Sequence, residues 1–464
     1  MDYLNRMIKY VVTRWPFQFH TLCKATRLNH LVFANDLLMF CKGNAQSIML
    51  LLRAFSSFSQ ASGLTMNTSK SEVYYNGVGQ QLKEDIHQAT GFVKGSMPFR
   101  YLGVPIQAGR LTKTECNILS EKMVSRIRSL GVRKLSYTFR VVLINSVLNT
   151  LYSYRASIFL ILKSAIKRIE AICRNYLWDG TVEYHRVPLI AWEKVTLPKD
   201  EGGLGIKRAH TWNYATIVKL VDWIYGKGDR LWIRWVNQIY LKGEDWHDYC
   251  PTADVTWSWK NICKVKELMK NGYTDGQWTA DHRGYSIRNG YECFRTHQPK
   301  QDRAALVWNN WNIPKHALIV WIIMHNGLNV KDKLFKIGYC NDDRCTICDS
   351  VTKTQDRLFF RCSYSQQIIK LVEMWCGFPI SVSILSRNGL PAKSCLKQKV
   401  HYLVWSACYY QVWTQRNNAR INSVLLRPFK VADQIIDEGK RKIRSKIKIP
   451  VNSSDQIWLT KWGV

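Results

Sequence analysis

The chain has 464 residues, enough for roughly three structural units, and its 46% hydrophobic and 12% aromatic content excludes wholesale disorder. Lys and Arg number 67 against 34 acidic residues, a balance of +33 that points to a polyanionic partner such as nucleic acid. Fourteen cysteines are spread along a chain whose first ten residues hold no apolar signal core, so reduced thiols are expected rather than a secreted disulfide scaffold. The longest apolar run, Ala317–Met324, is far short of the roughly 20 residues that cross a bilayer, and no membrane partner is expected.

In chain order, residues 28–43 (NHLVFANDLLMFCKGN) read as two short apolar runs joined at Ala34-Asn35-Asp36, the pattern of a strand-turn-strand hairpin. Helical spacing follows at Leu50, Leu51, Leu52, Ala54, Phe55 and Phe58, with Gly63 placed to end the helix. MPFRYLGVPI at 97–106 is β-like and punctuated by Pro98, Gly103 and Pro105. From Glu121 to Gly180, eleven Lys and Arg stand against three acidic residues, while Val141, Ile144, Val147, Leu148 and Leu151 recur at helical spacing. A basic helical subdomain is expected there.

PKDEGGLGI at 198–206 is a Pro/Gly-rich boundary, after which Trp212, Trp223, Trp232, Trp235, Trp257, Trp259 and Trp278 crowd in. Tryptophans at this density are expected to fill a core rather than to stack on bases. A second boundary lies near Gln298–Asp302. Near the end, Trp405, Tyr409 and Trp413 share one helix face, continued by Arg416 and Arg420, and Lys440–Lys448 holds six basic residues on a solvated helix face or frayed end. No repeat of 20 to 50 residues is present.

Two motifs carry chemistry. Phe33-Ala34-Asn35-Asp36, met in isolation, would be an ordinary Asn-Asp turn. Within LNHLVFANDLLMF it resembles the F/Y-A-D-D hairpin of non-LTR (LINE-like) retroelement reverse transcriptases of the plant type. GLTMNTSKSE at 63–72, PFRYLGVPI, KLSYTFRVVLINSVL at 134–148 and LPKDEGGLGIKRAHTWNYA at 197–215 are similar, in order, to blocks of the same family. The resemblance implies a catalytic position at Asp36, a degenerate one at Asn35, and Lys70 near an incoming nucleotide, although a solvated Lys70 beside Glu72 reads equally well. It also implies primer-grip and thumb contacts to RNA or DNA through Tyr101, Leu102, Gly103, Arg126, Arg128, Arg133, Lys134 and Arg140.

Nucleotidyl transfer needs carboxylates that hold two Mg²⁺ ions about 3.5 to 4 Å apart. Asn35 brings a carbonyl oxygen without the charge a hard cation relies on, and upstream of residue 30 only Asp2 offers a carboxylate. MDYLNRMIKY resembles the helix after the family's template-handling palm block, so the fingers and half the palm are expected to be missing from this chain and polymerase activity to be absent.

The second motif is Cys345-x2-Cys348, followed by Arg357 and Cys362. Two thiolates from one tight turn suit zinc. The spacing resembles Cys-x2-Cys-x8-His-x4-Cys of the reverse-transcriptase zinc-binding domain, whose lead-in helices resemble residues 313–339. Arg357 stands at the histidine position and cannot ligate, so Cys340 is the candidate replacement. The alternatives are water in the fourth position, or three buried thiols packing without metal.

The expected fold is α+β and predominantly α-helical. A truncated palm remnant at 1–110 precedes a basic thumb-like subdomain at 111–197, a Trp-rich connection at 198–298, a zinc-knuckle-like domain at 299–390 and a basic helical tail at 391–464. The expected function is a truncated, inactive RNA-directed DNA polymerase remnant that still binds RNA or DNA. The alternatives are a retained non-catalytic nucleic-acid-binding or scaffold protein, and a polymerase completed in trans by a chain supplying the missing fingers and palm. Zinc is the expected cofactor, with Mg²⁺ only if the polymerase site works. The basic tail gives only a slight pointer to the nucleus, and localisation is otherwise open.

Overall fold

A computed structural model describes residues 2–107, 109–130, 135–183, 185, 187–274, 285–336, 338, 341, 344–345, 347–348, 357–380, 395–447 and 453–464. It is mostly helical, 62% helix against 4% strand, which is the α+β, predominantly helical class expected from the sequence. The chain folds as two compact units, one of residues 1–116, 155–162 and 213–294 and the other of 117–154, 163–212 and 295–464.

The elements run α1 (Asp2–Arg14), β1 (His30–Phe33), β2 (Asp36–Met39), α2 (Ala45–Ser62), β3 (Glu72–Val73), α3 (Gln80–Thr90), β4 (Val93–Lys94), β5 (Phe99–Tyr101), β6 (Val104–Ile106), α4 (Lys113–Ser129), α5 (Tyr137–Leu143), α6 (Asn149–Ala156) and α7 (Lys163–Asp179). After these come α8 (Trp192–Val195), α9 (Ala209–Tyr225), α10 (Leu231–Val236), α11 (Trp257–Thr274), α12 (Ile287–Phe294), α13 (Asp302–Val307), α14 (Pro314–Met324), α15 (Lys331–Lys336), α16 (Ser363–Cys376), α17 (Leu396–Ile421), α18 (Pro428–Arg444) and α19 (Ser453–Trp462). Among the described residues the strands pair two by two: β1 with β2 and β5 with β6 antiparallel, β3 with β4 parallel.

In the first unit, local chemistry sets α2. The Asn44 side chain accepts from the Ser47 N–H at 2.7 Å, and Gly63 closes the helix in the left-handed region at φ 71°. The face between these caps buries Leu50, Leu51, Ala54 and Phe58 against Leu4, Ile8 and Val11 of α1. Leu37 and Met39 of β2 lie on the same core. A second core gathers Leu160, Val218, Val221, Trp246, Tyr249, Trp259 and Met269, with Trp232 and Trp235 packed against it. There the Trp259 indole stacks on Tyr240 at 4.3 Å and donates to the Tyr249 hydroxyl at 3.1 Å. Trp259 fills this core and Trp232 and Trp235 lean on it, whereas Trp212, Trp223 and Trp257 are half-buried and stand outside it; Trp278 lies outside the described residues.

The second unit is helical. α14 is buried from His316 to Ile323 and packs on α17, which packs in turn on α18. The glycine-rich loop at 202–205 is held against α14: the Trp321 indole donates to the Gly202 carbonyl at 2.7 Å, and His325 Nε2 bonds the same oxygen at 2.9 Å. Buried Glu201 receives both guanidinium nitrogens of Arg295, at 2.7 and 2.5 Å, and the Gln298 N–H at 3.0 Å. The two segments that read as boundaries are thus pinned to each other by a desolvated ion pair.

Candidate functional site

Cys345, Cys348 and Cys362 come together with their sulfur atoms within 4.8 Å of one another. Cys345 and Cys362 are buried and Cys348 is half-buried. Cys362 ends the turn Arg357–Arg361 and is the N-cap of α16, so the helix fixes its direction, and the Ser365 hydroxyl ties the first turn of α16 to the Leu358 carbonyl at 2.7 Å. A zinc–sulfur bond of about 2.3 Å in a tetrahedron sets sulfurs roughly 3.8 Å apart, so the thiols need to close by no more than about 1 Å to hold one ion. The donor set therefore fits zinc. The hydrogen bond with Cys345, then burial, pushes the Cys362 thiol well above its ordinary range. A divalent cation would release that proton on binding.

Arg416 of α17 is the neighbour that sequence reasoning missed. It is 3% exposed, and its guanidinium donates to the Asn329 carbonyl. Burial, then repulsion from Arg420, pulls it down to about 10, with Cys345 acting in the opposite sense. The charge of this fixed cation reaches Cys345. Its only signal in the sequence was its place on the Trp405–Tyr409–Trp413 face, which read as a tail motif. Cys340 and the side chain of Arg357 lie outside the described residues.

The hairpin at β1–β2 has Phe33 opposite Asp36, with Ala34 in the left-handed region at φ 51°. Because side chains alternate across the ladder, Leu37 and Met39 face the α1/α2 core while Asp36 and Phe33 face the other way. Asn35 and Asp36 are both exposed, and Phe33 is 59% exposed. Lys70 is exposed at the end of the short turn Thr68–Lys70, whose cap is the Asn67 side chain.

Tyr101 ends β5 opposite Val104, and Leu102 and Gly103 form the β5–β6 turn, both at positive φ. Buried Arg155 donates to the Gly103 carbonyl and to the Glu115 carbonyl, each at 3.1 Å, so the turn is tethered to the start of α4. Arg126 and Arg128 are exposed on α4. Arg140 is not on that wet face and the expectation for it is corrected. It is 7% exposed, its guanidinium donates to the Leu177 and Trp178 carbonyls at the end of α7, and it lies 5.3 Å over the Tyr137 ring. A buried guanidinium with carbonyls to satisfy caps a helix instead of meeting phosphate. Arg133 and Lys134 lie outside the described residues.

Residues 285–368 match the family described as zinc-binding in reverse transcriptase. The chain carries a reverse-transcriptase-type zinc-binding domain, with the three thiols inside the matched span. It is also similar to an Arabidopsis thaliana protein named "Putative ribonuclease H protein", 29% identical over 172 residues that make up 36% of this chain and 28% of that relative. The two matches support a retroelement-derived protein of the plant type. No helix among the described residues is long and apolar enough to cross a membrane.

Proposed function

We propose that this protein is a catalytically inactive relative of non-LTR (LINE-like) reverse transcriptases that retains binding to RNA or DNA and uses zinc as a structural metal. The observation that carries the reading is the hairpin tip, where Asn35 supplies an amide next to exposed Asp36. Two Mg²⁺ ions rely on charged oxygen ligands, and each tenfold loss of rate is about 1.36 kcal/mol of barrier. Binding is supported by the solvent-facing cations on α4 and α7: Lys122, Arg126, Arg128, Lys163, Lys167 and Arg168. The five-part division, with a shortened palm at 1–110 and a thumb at 111–197, belongs to this reading.

Zinc would be held by Cys345, Cys348 and Cys362. When bound, it supplies a cross-link among chain segments that the thiols alone cannot make. The protein's part is to gather the sulfurs, keep two of them from water and stand Arg416 near Cys345.

Primer extension on an annealed RNA template with Mg²⁺ tests the proposal, using the wild-type chain, Asn35→Asp and Asp36→Ala. No product from the wild type is expected, together with template retardation whose log affinity falls with a slope of roughly −5 against log salt, as about six phosphate contacts require. Extension by the wild type that disappears in Asp36→Ala would overturn inactivity. A flat salt dependence would overturn nucleic-acid binding.

A further inference from the structure

Among the described residues, β1 pairs on one side only, with β2. The Phe40 N–H donates to the Asn29 carbonyl at 2.7 Å, directly after the His30↔Met39 pair, and this sets the phase of the ladder. In an antiparallel pair the bonded positions alternate, so Asn29, Leu31 and Phe33 turn their backbone groups to β2 while His30 and Val32 turn theirs outward. Beside that outward edge lies a groove of about 930 Å³, lined by α1, residues 26–32 and α10, with Lys9, Arg27, His30, Val32 and Arg234 in its wall. Asp2 is the acid in the lining and pairs with Arg6; Arg234 has Asp229 at 3.5 Å, an exposed pair that is easily exchanged.

The geometry points to this groove as a docking site for an extended acidic segment of a partner protein, added as a third strand along β1. Its backbone would meet His30 and Val32, and its acidic side chains would meet Lys9, Arg27 and Arg234. The alternating N–H and C=O of a strand edge selects a peptide over a nucleic-acid strand, which has no matching alternation, and main-chain pairing plus side-chain pockets is how such edges bind. A two-stranded ribbon also gains stability from a third strand. This inference stands apart from the zinc and nucleic-acid readings and does not depend on either.

The test uses the full chain and a fluorescein-labelled peptide alternating Glu and Val, followed by fluorescence anisotropy. Val32→Pro removes an outward N–H without touching the β2 ladder and should weaken binding about tenfold, and Lys9→Glu with Arg234→Glu should do the same. Replacing Glu by Lys in the peptide should abolish binding. On the wild type, peptide should slow hydrogen exchange at His30 and Val32, a readout that decides the matter even if Val32→Pro melts early. Unchanged exchange at those two amides, or equal peptide affinity in a folded Val32→Pro, would overturn the assignment. So would a single-stranded oligonucleotide that displaces the peptide and binds Val32→Pro as tightly as wild type, since the groove would then belong to nucleic acid.

Discussion

The hairpin tip at Asn35-Asp36 and the thiol cluster at Cys345, Cys348 and Cys362 each depart by one residue from the pattern they resemble, and the fold treats the two departures differently. The hairpin rests on its core through Leu37 and Met39 and presents Asn35 and Asp36 to water. What those residues could do depends on charge at the tip, and nothing in the packing below compensates for an amide. The thiols are gathered by the start of α16 with buried Arg416 standing near, so their placement survives an arginine at position 357. A site of exposed carboxylates takes its ligand charge from each residue singly, whereas a site gathered by the core keeps most of its geometry when one position changes.

The contrast is sharpened most by metal. Cys362→Ala should lower zinc affinity by about 100-fold or more and abolish the drop in Tm that a chelator causes in the wild type, read by zinc titration and calorimetry. Unaltered zinc stoichiometry would remove the cluster from the comparison. Elsewhere in the second unit, Gly203 tests the loop held against α14, because a Cβ there would stand 1.9 Å from the Leu197 carbonyl oxygen. Gly203→Ala is expected to cost about 3 kcal/mol or more in urea unfolding; a loss below about 1 kcal/mol would show that the loop yields easily.

Glu438 probes the same unit through pH. Burial raises its carboxyl, but His316 at 3.4 Å and Lys315 at 2.8 Å outweigh that and hold it at about 2, while burial lowers the His316 imidazole. Both groups bind protons more weakly when folded, so both lose stability as pH falls: His316 from its unfolded value near 6.5 downward, Glu438 from about 4.5 toward 2. Glu438→Gln should cost about 2 kcal/mol at pH 7 and converge with the wild type near pH 2 in acid-unfolding curves.

Smaller effects separate wet from buried arginines. Arg140→Ala should destabilise by about 1 to 2 kcal/mol with little change in the salt slope of RNA binding, whereas Arg126→Ala should reduce that slope by about 1 with stability intact. At the hairpin, Asp36→Ala should move stability by no more than about 0.5 kcal/mol. A larger shift would show that the tip, too, is held by packing.

Much of this was legible in the residues. Asn44 and Gly63 bracket α2, the FAND turn marks β1–β2, and the spacing of Cys345, Cys348 and Cys362 marks the cluster that the fold gathers. Arg140 misled because charge along a helix says nothing about which guanidinium will meet the carbonyl end of another helix 37 residues on. Arg155 and Arg416 are of the same kind, each satisfied by carbonyls distant in sequence. The pairing of Glu201 with Arg295 was hidden for a similar reason: both sat in stretches that local composition marks as linkers, and only tertiary structure buries them.

That pairing also has a timetable. Its partners are 94 residues apart, so a ribosome moving at about 5 to 20 residues per second makes Glu201 roughly 5 to 20 s before Arg295. During that interval residues 213–294, which belong to the other compact unit, emerge first. Folding of the second unit is therefore interrupted in mid-synthesis, with a carboxylate destined for burial still waiting for its cation. A nascent chain stalled in that window would be the form most in need of a chaperone.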